Sequence, residues 1–87
     1  MPLLLVPDSL ARLFPGMPRS IPVAGSSVAS CVADAEARWP GLQDRLLATP
    51  GTLRQHILVF VDGLPASPIT AVRAESEILV VPALSGG

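Results

Sequence analysis

The sequence predicts one small α+β domain, in which short strands form a sheet beside a single main helix. Its 87 residues leave room for one domain only. Several short, continuous apolar runs are bounded by proline or glycine, as strands are. One stretch instead repeats its apolar residues with helical spacing. Ten prolines and seven glycines separate these segments, so each element is short.

The first half of the chain contains two predicted strands, over residues 3–6 and 20–23, with a brief helical turn starting at Asp8 between them. Pro22 restricts the second strand to a sheet edge, because proline has no N–H to donate to a neighbouring strand.

The main helix follows Gly25 and is capped by Ser26 or Ser27. Its predicted buried stripe has the spacing i, i+3, i+4, i+7 and consists of Val28, Cys31, Val32 and Ala35. Pro40 and Gly41 end the helix, and residues 42–47 add another short helical turn.

The second half contains the strongest predicted strand, residues 56–61, which ends at the turn dipeptide Asp62-Gly63. A short edge strand is predicted near residues 69–72, and a last strand over residues 77–81, where Pro82 ends the pairing.

The stronger strands are continuous apolar runs, which indicates that both faces of the sheet need cover. One helix covers one face only. An apolar face left open is typical of an interaction site, so the pattern predicts a partner protein.

Composition excludes several classes of function. Six basic residues are balanced by seven acidic ones, so nucleic-acid binding is not expected. No apolar run is long enough to cross a membrane, and no secretory signal is visible. The single cysteine, Cys31, cannot form an internal disulfide. No His, Cys, Asp or Glu group has metal-ligand spacing. We therefore expect a cytoplasmic protein that binds no metal and no cofactor of its own.

Few side chains could support catalysis. His56 is expected to be a solvent-facing residue at a strand end, and Cys31 a buried apolar residue. The remaining reactive group is the terminal carboxylate after Gly86-Gly87, with a pKa of about 3.5 and so ionised at neutral pH. Two residues without a Cβ can enter a channel too narrow for side chains. Attack of this carboxylate on ATP would give an acyl-adenylate, which a sulfur or nitrogen nucleophile could displace. A partner enzyme must supply all catalytic groups, so the chain itself is predicted to be a carrier and not an enzyme.

Residues 78–87 read as an apolar strand, a proline, a short spacer and a terminal diglycine. This pattern resembles the ubiquitin-like sulfur carriers, the family of the small subunit of molybdopterin synthase and the thiamine sulfur carrier. Residues 39–42 and 59–63, which read WPGL and VFVDG, are most similar to the actinobacterial cysteine-biosynthesis carrier in that family. The resemblance departs from the family at residues 73–77, which lack the glycine of its acidic-Gly-acidic turn.

The resemblance implies a β-grasp fold, with a mixed four- to five-stranded sheet packed on one main helix and the first and last strands parallel at the centre. It divides the chain into a domain, residues 1–82, and a flexible tail, residues 83–87.

It also implies that a ubiquitin-activating-type enzyme uses ATP to adenylate Gly87, next to Gly86, and that the product is converted to a thiocarboxylate. The sulfur then passes to a biosynthetic enzyme. The implied partner contacts are Leu79, Val81, Leu84 and Ser85.

Two alternatives stay open. A ubiquitin-like protein modifier would join Gly87 to lysines of other proteins, although the chain has no lysine on which to build a polymer of itself. A plain binding module would use only the open sheet face. For a sulfur carrier, the acceptor pathway is also open: cysteine, molybdopterin or a specialised metabolite.

Overall fold

The computed structural model describes residues 1–82. Within that range the elements follow one another along the chain as β1 (Leu3–Leu5), α1 (Asp8–Ala11), β2 (Ser20–Pro22), α2 (Val28–Arg38), α3 (Leu42–Leu46), β3 (Leu47–Thr49), β4 (Thr52–Leu53), β5 (Ile57–Val61), β6 (Leu64–Ala66) and β7 (Glu77–Pro82).

Five of the strands form a mixed sheet in the order β2-β1-β7-β5-β6. Strands β1 and β7 are parallel neighbours at the centre, with Leu4 opposite Ile78. The other pairs in this sheet are antiparallel, and β5 lies against β7 with Val59 opposite Val80. This topology confirms the predicted β-grasp fold, including the central pairing of the first and last strands.

Helix α2 begins where the sequence predicts. Ser27 is its N-cap, and a reciprocal capping box joins Ser27 to Ser30, whose backbone N–H donates to Ser27 Oγ at 3.1 Å. The buried residues of α2 are the predicted stripe of Val28, Cys31, Val32 and Ala35. They pack into one core with the inward side chains of the sheet, such as Leu4, Ile78 and Val80. The helix therefore covers one face of the sheet.

The edge strand predicted near residues 69–72 is wrong. The strand lies earlier, at β6, because Asp62 and Gly63 both adopt positive φ, of 50° and 85°, and reverse the chain directly after β5. The segment around 69–72 makes a single bridge, between Ala71 and Ser27, and Ile69 is 83% exposed. It connects β6 to β7 and adds no strand to the sheet.

Two further differences concern short elements. Helix α3 ends at Leu46, one residue before the predicted end, and Leu47 begins β3 instead. Strands β3 and β4 form a small separate hairpin, which the sequence analysis does not predict.

The two outer strands of the five-stranded sheet each contain a proline. Pro22 lies opposite Leu3 on β1, and the residues on either side of Pro22 donate their N–H groups toward β1. Pro65 lies opposite Phe60 on β5. In the alternating pattern of an antiparallel ladder, the nitrogens of these prolines face away from the sheet. The prediction that Pro22 occupies a sheet edge is confirmed.

In the range 1–82, none of the helices is long and apolar enough to pass through a lipid bilayer.

Candidate functional site: the open face of the sheet

Strand β7 presents its side chains alternately to the two faces of the sheet. Ile78 and Val80 are buried toward α2, whereas Leu79 is 42% exposed and Val81 is half-buried. Because side chains alternate along a strand, Leu79 and Val81 share the face that α2 does not cover. The apolar run of the last strand thus supplies the core with one half of its residues and the opposite surface with the other half.

Neighbouring strands extend this apolar surface. Strand pairing places Leu5 and Phe60 on either side of Leu79, and Leu58 opposite Val81. Residues directly opposite in register project to the same face. We call this surface the open face and define it by residues of β1, β5 and β7, namely Leu3, Leu5, Leu58, Phe60, Leu79 and Val81.

The open face is apolar and accessible. Leu58 is 47% exposed, and the remaining members other than Leu79 are half-buried among their neighbours. Large apolar side chains grouped on one face are typical of surfaces that bind another protein. None of these six side chains belongs to the buried core of residues 1–82.

One end of the open face is fixed by hydrogen bonds between the β5–β6 turn and the start of β7. The backbone N–H of Glu77 donates to Asp62 Oδ1 at 2.9 Å, and the backbone N–H of Asp62 donates to the Glu77 carbonyl at 2.9 Å. The first of these bonds is the main reason that the pKa of Asp62 lies below its usual value of 3.8, with a hydrogen bond from the Ser76 hydroxyl as the next cause. Asp62 is therefore a carboxylate at neutral pH.

The predicted site residues divide into two groups. Leu79 and Val81 lie together on the open face, where their role in partner binding stays a prediction. Leu84, Ser85, Gly86 and Gly87 lie outside the described residues.

Strand β7, which precedes these four residues in the sequence, is the central strand of the sheet. It is paired on both sides, and its last residue, Pro82, lies opposite Ile57. The division into a domain and a tail at residue 82 also stays a prediction.

The other two candidate residues, Cys31 and His56, are not members of the open face. Cys31 lies on the buried side of α2, and burial is the main cause of the raised pKa of its thiol, with the nearby Asp34 as a second cause. His56 is exposed and holds a left-handed backbone, φ 72°, at the entry to β5. In the described part of the chain, no three His, Cys, Asp or Glu side chains are grouped to hold a metal ion.

The sequence reading missed most of the open face. It named Leu79 and Val81 but not their neighbours Leu5, Leu58 and Phe60. The signal was present in the alternation along β5, where every second residue faces away from the helix. It could be used only after the register between β5 and β7 was known.

No protein-family model matches the sequence. The chain is 24% identical to the sulfur carrier protein CysO of Mycobacterium tuberculosis and of Mycobacterium bovis, over 91% of this chain and 91% of each relative.

Among solved structures, the BexX/CysO complex of Amycolatopsis orientalis contains a chain that superposes with a TM-score of 0.88, at 24% identity and over 100% of both chains. The CysO of Mycobacterium tuberculosis, described as an antigen, gives a TM-score of 0.86 at 22% identity, over 97% of this chain and 100% of the other. The chain resembles the ubiquitin-like sulfur carriers. The resemblance inferred from the sequence is confirmed.

The chain is also similar in structure to a protein that is named as a modifier. The small archaeal modifier protein SAMP1 of Haloferax volcanii superposes with a TM-score of 0.75 at 25% identity, over 99% of this chain and 98% of the other. The similar proteins are thus named as carriers and as modifiers, and one of the carriers is described in a complex with a second protein.

Proposed function

We propose that this protein is a sulfur carrier, which a partner enzyme charges at Gly87 and which then donates the sulfur to a biosynthetic enzyme. The observation that supports this most strongly is the likeness to the sulfur carrier protein CysO, which extends over 91% of both chains and agrees with the fold.

The proposed charging reaction has two steps. A carboxylate oxygen of Gly87 attacks the α-phosphorus of ATP, which forms an acyl-adenylate and releases pyrophosphate. Hydrosulfide then attacks the acyl carbon, AMP leaves with the electrons of the broken C–O bond, and a proton is released to give the thiocarboxylate. The proposal requires that Gly87 carry the free terminal carboxylate in the mature protein.

The position of β7 supports this role. Residues 83–87 follow directly after the central strand β7. The last residue of that strand, Pro82, is held in place because it pairs with Ile57 on the neighbouring strand β5. Five residues can span at most about 17 Å. Because this segment starts at a fixed residue and is short, it is suited to place the terminal glycine in the pocket of an enzyme that binds the domain next to that pocket.

We propose that the enzyme binds the domain at the open face. Leu58, Leu79 and Val81 lie near the end of β7, so a partner that covers them would also lie beside the start of residues 83–87. The partners proposed are an adenylating enzyme of the ubiquitin-activating type and the enzyme that accepts the sulfur. Both would use this surface in turn, since one carrier meets them at successive steps.

Intact-mass measurement tests the proposal. The full chain is incubated with a ubiquitin-activating-type enzyme from the same genome, ATP and sulfide. We expect a gain equal to the mass difference between sulfur and oxygen, which disappears when ATP is omitted. Gly87→Ala is expected to fold normally and to abolish the gain, because the added methyl group does not fit a channel shaped for glycine.

The matched control is Gly51→Ala, the same chemical change in an exposed loop, where an added Cβ meets no atom within 4 Å. This variant is expected to load sulfur as the original chain does. Normal loading of Gly87→Ala, or a mature protein that continues beyond Gly87 without trimming, would contradict the proposal.

The likeness to SAMP1 favours a second candidate, a ubiquitin-like protein modifier. In that case the amino group of a lysine on another protein displaces AMP and forms an isopeptide bond. Because the chain has no lysine, conjugates would carry single copies and no polymers linked through lysine. Tagged protein expressed in its own cells separates the two: a modifier gives heavier conjugates, whereas a carrier gives only the free thiocarboxylate form.

A further inference from the structure

One end of the open face contains a groove of about 390 Å³, lined by Leu5, Phe60, Asp62, Gly63, Glu77 and Leu79. Three apolar side chains on neighbouring strands form its floor, because Leu5, Leu79 and Phe60 lie in one row across the sheet. The turn residue Gly63 leaves its end of the groove open, since a Cβ there would meet nothing within 4 Å.

The other two lining residues are acidic and lie at the same end. The paired backbone hydrogen bonds between Asp62 and Glu77 hold these two positions together. In the described chain, no basic side chain lies within 4.0 Å of the Glu77 carboxylate. Arg73 approaches Asp62 Oδ2 at 3.9 Å, but its side chain is 87% exposed, so this contact is weak.

We propose that this groove binds an arginine side chain of the protein that docks on the open face to charge the carrier. The proposal deepens the function given above, because it names the chemistry by which the activating partner recognises this chain. An apolar floor that ends in two carboxylates is complementary to a side chain with an apolar stem and a cationic end.

The dimensions favour arginine. Leu79 and Glu77 are two residues apart on β7, which is about 7 Å along a strand and close to the length of an extended arginine side chain. The planar guanidinium stacks on an aromatic ring such as that of Phe60 while it donates to carboxylates in its own plane. An ammonium group has neither property to the same degree, so lysine is the weaker occupant.

An NMR titration tests the groove without a partner. The full, ¹⁵N-labelled chain is titrated with n-butylguanidinium, which represents the arginine side chain, and separately with the uncharged n-butylurea and with n-butylammonium. We expect saturable shifts of the amide signals of Gly63, Glu77 and Leu79 with the guanidinium probe, and weaker binding of both other probes.

Two isosteric variants make the test specific. Glu77→Gln is expected to raise the Kd of the guanidinium probe by about threefold to tenfold, the loss expected for a charge-assisted contact. Glu75→Gln removes the same charge two residues away, outside the groove, and is expected to change the Kd by less than about twofold, because exposed charges are screened by solvent and salt.

Equal binding of butylurea or butylammonium would overturn the proposal, as would equal Kd values for the two variants. Concentration-dependent shifts at the same amides without any probe would indicate that a second copy of this chain occupies the groove, which also overturns it. The titration does not depend on sulfur chemistry. Failure of the original chain to load sulfur would overturn the proposed function and leave the titration result unaffected.

Discussion

Adjacent residues of β7 should respond to truncation in opposite ways. Ile78 is fully buried between Leu4 on β1 and Val61 on β5, whereas Leu79 is on the open face. Truncation of a buried isoleucine to alanine costs about 2–5 kcal/mol, because transfer free energy is lost and a cavity remains. An 87-residue chain has a total unfolding free energy of about 4–13 kcal/mol, so Ile78→Ala removes a large fraction of it.

Leu79→Ala is expected to cost about 1 kcal/mol, because the side chain is already 42% exposed and its loss opens no enclosed cavity. Urea denaturation measures both. With a slope of about 1.3 kcal/mol per M, the unfolding midpoint should fall by about 1.5–4 M for Ile78→Ala and by less than about 1 M for Leu79→Ala. If Ile78→Ala does not fold, Ile78→Val should still show a loss of about 0.5–1.5 kcal/mol.

Sulfur loading should follow the reverse order. Folded Leu79→Ala should load more slowly at low carrier concentration, because a partner contact is lost, whereas Ile78→Val should load normally. Equal shifts of the unfolding midpoint for the two alanine variants, or normal loading of Leu79→Ala, would refute the assignment of these residues to opposite faces with separate roles.

Three further outcomes are expected. Gly25→Ala should lower the melting temperature markedly, because the new Cβ would lie 2.8 Å from the backbone nitrogen of Cys31, whereas Gly51→Ala should not; equal melting temperatures would contradict the packing described. The pKa of Asp62 is lower in the folded chain than the usual 3.8, so its contribution to stability is complete above that pH and is lost as the pH falls through the folded value. Asp62→Asn should therefore flatten the acid end of the stability profile measured by denaturant titration, and an unchanged profile would count against this. Cys31 should resist thiol reagents at neutral pH until the protein unfolds, because it is buried and its pKa is raised; rapid labelling of the folded chain would contradict the burial of this side of α2.

The sequence predicts those elements whose signal is local. A serine cap followed by an apolar stripe places the start of α2 to within one residue, because the cap and the stripe both act within one helix. The central strands are similarly clear as apolar runs with proline or glycine at their ends. These elements determine that a layer of helix packs on a layer of sheet, and the fold class could therefore be predicted from them.

The errors concern segments whose structure depends on distant partners. Residues 69–72 are apolar enough for a strand, but the N–H of Val72 bonds to Ser26 beside the main helix, so the segment is used as a connection. The true edge strand contains Pro65, which weakens any prediction of a strand there. The open face, likewise, depends on the register between strands far apart in sequence, and no local pattern encodes it.

The prolines of the two outer strands have a consequence for the behaviour of the protein in concentrated solution. Amyloid-like growth and domain exchange need an unoccupied row of amide donors on which a further strand can lie. At Pro22 and Pro65 that row is interrupted, on both sides of the sheet. Strand addition at either edge of the sheet is thus disfavoured, and encounters with other proteins are directed to the open face.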